Sequence, residues 1–164
     1  MRKDDSIIKA ITVDEDIAKI SVMEVPDKPG IAFNLFSNIA NEGIKIESIT
    51  QNVNRSQVND ITFTVPTDEF EKAFKITSDF AIEVGATKVL YDKGVAKLSV
   101  IGSGMVASTQ VASRVFKALY EKGVNIQMIS TSEVKISCVI EKDKAKEALK
   151  QIYKEFEVEY KKTL

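Results

Sequence analysis

The residues with the most to offer chemically sit in one joint. In EVPDKPGIAFNLF, residues 24–36, an apolar, strand-like run from Ile20 to Val25 halts at Asp27-Lys28-Pro29-Gly30, and a helical pattern begins at once. A plain strand-to-helix turn needs only a cap and a glycine. An acid, a base, a proline and a glycine together suit a small molecule that carries an ammonium and a carboxylate on one carbon. Asp27 supplies the anion for the ammonium. The helix after Pro29 supplies unpaired backbone N–H groups, beginning with Ile31 and Ala32, and the positive end of its dipole for the carboxylate. Pro29 suits a first helical position, where its missing N–H would be orphaned anyway. Gly30 lets a ligand approach the backbone closely. A charge-assisted hydrogen bond contributes roughly 1.5–3 kcal/mol and the dipole about 0.3–1 kcal/mol, so the amides hold the carboxylate more than the dipole does. The competing reading is that Asp27 simply caps the helix.

Other chemistries lack their residues. The chain has no histidine, the usual general base near neutral pH and the commonest metal ligand, and its one cysteine is Cys138. A zinc site, a Ser-His type triad and an internal disulfide are therefore not expected. There is no G-x-x-x-x-G-K-[ST] loop, and Gly102-Ser103-Gly104 lacks the third glycine of a dinucleotide motif. The acid pairs Asp4/Asp5 and Asp14/Asp16 fall in apparent loops without a partner base. Independent catalysis, a metal and a cofactor are not expected. A net charge of −1 with 29% charged residues argues against a nucleic-acid surface, and 44% hydrophobic residues in 164 can build a core. No apolar run approaches the roughly 20 residues of a membrane span. MRKDDSIIKA lacks the apolar stretch of an export signal, so Asn54-Arg55-Ser56 reads as plain loop and the expected location is the cytoplasm.

The elements that must hold the joint occur twice. IAKISV (17–22) returns as VAKLSV (95–100), NIANEGIKIESIT (38–50) as ALYEKGVNIQMIS (118–130), and DITFTVPTDEFEKA (60–73) as KISCVIEKDKAKEA (135–148). Each unit reads strand, helix, strand, strand, helix, strand. In the first, an alternating strand contains residues 17–22. A helix follows with Ile31, Leu35 and Ile39 on one face and Gly43 at its end. A second strand spans Ile44–Gln51, a third Asp60–Val65, and a second helix starts at Asp68. In the second unit the helices fall near Thr109–Glu121 and Lys142–Phe156, and Gly123 plays the part of Gly43. This is the α+β, ferredoxin-like βαββαβ pattern in tandem. The strand TKVLYD (87–92) either closes the first unit or opens the second, and FEVEYKK (156–162) completes one or the other. Helices on one sheet face leave the other face and the edges to be covered, so dimerisation is expected. The second unit's joint, GSGMVAST (102–109), has no acid; Ser108 or Thr109 can cap its helix, but nothing there can hold an ammonium. The two units should therefore be unequal, with the first holding the charged end of the ligand.

Five blocks in order, VPDKPGIA, IESITQNVN, NDITFTV, AKLSVIGSGM and GVNIQMISTSEVKIS, closely resemble the tandem ACT domains of aspartate kinase, from about Ile11 to Tyr160. The resemblance implies two ACT domains, residues 1–86 and 87–164, with the N-terminal strand and the boundary strand open to sharing. It implies the regulatory portion alone, since no Lys-Phe-Gly-Gly stretch of a kinase domain is present; a separate small subunit and a piece of a longer protein fit equally. In that family, pockets form where the first unit of one chain meets the second unit of another. By position Gln51 and Asn52 would line such a pocket from the first unit, and Asn125, Ile126 and Gln127 from the partner. Asp60, Thr131, Ser132 and Glu133 are weaker candidates; Ile126 reads equally as core, and Glu133 as a solvated loop acid. The implied function is feedback control of aspartate kinase by lysine, threonine or both, through an ACT-domain homodimer and a catalytic kinase domain or subunit. The alternative is a stand-alone ACT-type amino-acid sensor acting on a different partner.

Overall fold

A computed structural model describes residues 8–54, 56–103 and 109–157. The strands are β1 (Ile8–Pro26), β2 (Ser48–Val53), β3 (Val58–Pro66), β4 (Lys88–Gly102), β5 (Ile126–Ser132) and β6 (Lys135–Glu141). The helices are α1 (Ile31–Asn41), α2 (Phe70–Val84), α3 (Thr109–Glu121) and α4 (Ala145–Glu155). The chain divides into two compact units. Residues 16–93 form one, and residues 94–157 with 8–15 form the other. The long strands β1 and β4 each contribute one half to each unit.

The unit of 16–93 has strand order β2-β3-β1-β4, the ferredoxin-like arrangement. Its inward face is set by alternation. Ala18, Ile20 and Val22 of β1 and Ile61, Phe63 and Val65 of β3 are buried, and Leu35 and Ile39 of α1 and Phe70, Ala73, Phe80 and Ala81 of α2 pack on them. Phe36 meets Phe63 edge-on, with ring centroids 5.5 Å apart. Helix α1 ends with Gly43 at φ 71°, the Gly43 N–H on the Ala40 carbonyl and the Ile44 N–H on the Ile39 carbonyl, a Schellman ending. That ending holds Ile44, so the second strand starts at Ser48 rather than at Ile44 as the alternation suggests. Single turns of 3-10 helix at Thr67–Glu69 and Lys142–Lys144 precede α2 and α4, which begin two or three residues later than their polar starts indicate.

The unit of 94–157 has the order β5-β6-β4-β1, with residues 8–15 as its fourth strand. Ile11 is buried there with Leu98, Val100, Val115, Leu119, Ile136 and Ile152. Asp14 and Asp16 therefore lie in β1, not in a loop, and both have interaction partners. Residues 88–93, containing most of TKVLYD, belong with the unit of 16–93. The segment FEVEYKK lies outside the described residues beyond Glu157. Cys138 is buried in this core, and burial pushes its thiol up to about 12.

One irregularity lies just before the joint. β1 pairs with β3 in register from Ile17↔Pro66 to Val22↔Ile61, then resumes at Val25↔Asn59. β1 thus carries one extra residue, a bulge at Met23-Glu24. Glu24 takes φ 56°, and its N–H donates to Asp60 Oδ1 at 2.9 Å.

Candidate functional site

The joint is a turn of defined geometry. Gly30 has φ 90° and ψ −10°, and the Ile31 N–H reaches the Lys28 carbonyl at 3.4 Å. This is a type II turn over Lys28–Ile31, with Pro29 at its second position and Gly30 at the third, where φ must be positive. Two expectations are corrected. Pro29 is not the first helical residue, because α1 starts at Ile31; its ring presets the turn instead. The Ile31 N–H is not unpaired, because it closes this turn on the Lys28 carbonyl; Gly30 supplies the positive φ the turn needs and lines the adjoining cavity.

Asp27 does not cap the helix either. No side chain caps α1. One Asp27 carboxylate oxygen accepts from Asn59 Nδ2 at 3.0 Å, and the Asp27 N–H donates to the Gln57 carbonyl at 3.0 Å. The Asn34 N–H closes the first turn on the Gly30 carbonyl at 2.9 Å. The N–H groups of Ala32 and Phe33 have no hydrogen-bond acceptor among the described residues. An anchored carboxylate and two unpartnered amides thus face one place, the two poles an amino acid requires.

A cavity of about 200 Å³ lies there. Asp27, Lys28, Gly30, Ile31, Ala32 and Gln51 line it, with Phe33, Asn59, Val25, Pro26 and Ile61. Gln51 reaches it because Gln51 pairs with Ile61, which puts both side chains on the same sheet face. Asn52 pairs with Asp60 on the opposite face, and neither lines the cavity. The Asp60 carboxylate holds the bulge. Pro29 is likewise outside the wall.

All the lining residues come from the unit of 16–93. In the other unit Asn125 is exposed just before β5, and Ile126 and Gln127 are half-buried at its start, beside an irregularity in the pairing with β6. Thr131 and Ser132 are exposed at the end of β5, and Glu133 is exposed in the turn beyond. The matching joint of that unit, with Ser108, lies outside the described residues from 104 to 108. Sequence reasoning missed Asn59 and Phe33. Asn59 left a signal: it opens the inward alternation Asn59, Ile61, Phe63, Val65, where a polar side chain is out of place.

Among the described residues no cluster of His, Cys, Asp or Glu could hold a metal ion, and no helix is long and apolar enough to cross a membrane.

The fold defines a class of protein that pairs two ferredoxin-like modules in one chain, and the family description "ACT domain" matches residues 20–79 and 98–156. The chain belongs to the ACT-domain family, as the regulatory region of aspartate kinase. It is 41% identical over 153 residues to the aspartate kinase of Pseudomonas fluorescens, a match that covers 93% of this chain and 37% of that protein. The crystal structure of the regulatory subunit of aspartate kinase from Thermus thermophilus, in ligand-free form, is 32% identical with a TM-score of 0.86, covering 92% of this chain and 99% of that one. A crystal structure of aspartokinase alpha and beta subunits is 36% identical with a TM-score of 0.85, covering 92% and 99%. The chain therefore spans 37% of the length of the full aspartate kinases it matches, and nearly all of the regulatory subunits.

Proposed function

We propose that this chain senses an end-product amino acid, lysine or threonine or both, and passes the signal to a catalytic kinase domain or subunit that phosphorylates aspartate in the cytoplasm. The observation that carries the proposal is the pairing of Asp27 with the unpartnered Ala32 and Phe33 amides across one small cavity. The carboxylate takes the effector's ammonium and the amides take its carboxylate. Gln51 stands where a side chain would be read. A second copy of the chain would complete the site with Asn125, Ile126 and Gln127, and Thr131, Ser132 and Glu133 would lie at its margin. Effector binding then favours one of two arrangements of the dimer, and control follows from its different affinity for the two.

A thermal melt tests this. Threonine, lysine and their mixture are added to the purified chain, with aspartate as the control. A ligand at about 100 times its dissociation constant adds roughly 2.7 kcal/mol, or about 5–10 °C for a chain of this size. The expected result is a shift with lysine or threonine that is absent in Asp27→Ala. No shift with either amino acid would overturn the proposal.

A further inference from the structure

We propose that Asn59 is the positioning residue of this site: its carboxamide holds Asp27 in place and gives the ligand's ammonium a second acceptor. The inference rests on the effector reading of the joint and names a residue that reading does not require. Asn59 is only 3% exposed, an uncommon state for an amide side chain. It stands opposite Val25 on β1 and Val53 on β2, at an inward position where an aliphatic residue would pack. Its Nδ2 donates to Asp27 Oδ1 at 3.0 Å. That contact fixes the orientation of the amide. An ionised carboxylate only accepts hydrogen bonds, so the NH2 group must face Asp27 and Oδ1 must point elsewhere. Asn59 Oδ1 is buried and has no hydrogen-bond partner.

A buried acceptor left without a donor lowers the stability of the folded chain, and such groups call for an explanation. A leucine at this place would carry no such cost. Asn59 also lines the cavity beside Asp27 and Ala32. Its acceptor sits on the same carbon as the Nδ2 that grips Asp27, so the two acceptors are near neighbours. An ammonium has three donors, enough for an Asp27 oxygen and for Asn59 Oδ1 together. The orphaned oxygen is explained if a ligand supplies its partner.

The test is a cycle of four proteins: the 164-residue chain, Asn59→Leu, Asp27→Asn and the double variant. Affinities for threonine and for lysine are measured by calorimetry, and each protein is melted without ligand. The expected results are a loss of about tenfold or more in affinity for Asn59→Leu, an unliganded melting temperature no lower than the parent's, and a much smaller loss when Asn59→Leu is added to Asp27→Asn. Non-additivity of that kind marks residues acting on one group. Unchanged affinity in Asn59→Leu overturns the inference and leaves the effector reading standing. An equal loss in both backgrounds also overturns it, since the residue would then act through packing alone. Failure of the parent chain to bind either amino acid overturns the effector reading and the inference with it. If Asn59→Leu does not fold, Asn59→Ala takes its place with the same comparisons.

Discussion

Single side chains show two kinds of polar work here. Asp27 is exposed and anchored by Asn59 Nδ2 at 3.0 Å. Glu155 is locked. Burial alone would push its carboxyl up. The Arg114 guanidinium at 3.1 Å and the Lys117 ammonium at 3.2 Å outweigh that and hold it below its ordinary value of 4.5. Arg114 also donates to the Glu155 carbonyl and lies over the Phe156 ring, so the group ties α3 to α4. A carboxyl whose pKa is lowered by folding adds stability that is present above its unfolded pKa and lost as pH falls through its folded pKa. Glu155→Gln should therefore cost about 1–3 kcal/mol at pH 7, and the difference from the parent should shrink below pH 4.5 and close in stronger acid. Melts across the acid range check this; a difference that stays constant with pH would contradict it. Asp27 stood out in the sequence by its place in the joint, against a competing reading as a helix cap, and Gln51 was named only through the family resemblance; both line the cavity. Asn59 was not legible there, because its meaning depends on which face of β3 turns inward.

At the scale of elements, the helix ends were read more easily than the helix starts and the strand limits. Gly43 and Gly123 mark helix ends by their need for positive φ. The start of β2 was misplaced by four residues because the Schellman ending uses Ile44 as a buried contact, and an alternating pattern does not reveal that use. Pro29-Gly30 was read as a helix start, whereas the pair makes a type II turn just before one. The distinction has a consequence. At Gly30 a side chain is sterically free but its backbone is not. Gly30→Ala should lower stability by about 1–2 kcal/mol. It should also weaken effector binding, because relaxing the turn moves the Ala32 and Phe33 amides relative to Asp27. Calorimetric and binding measurements on this variant check both parts; a variant that binds as the parent does would show that the turn does not set the amides.

For the molecule as a whole, the tandem repeat was plain in the sequence, and each unit has the ferredoxin-like order that the repeat implied. What the repeat did not show was how the fourth strand of each unit is supplied. Residues 88–93 serve the unit of 16–93, and residues 8–15 serve the unit that begins at 94. Both segments are short, polar on one side and continuous with longer strands, so nothing local assigns them; the assignment follows from long-range pairing. The two units share a fold and differ in their joints. Only the first joint has an acid, and that asymmetry is the basis for placing the charged end of an effector there. The most direct test of this claim is a titration of the isotopically labelled chain with threonine and then lysine, followed by the backbone amide resonances. The account predicts that the largest changes fall on the Ala32 and Phe33 amides, with saturation, and that Asp27→Ala removes them. Saturable binding that leaves these two amides unmoved would contradict it.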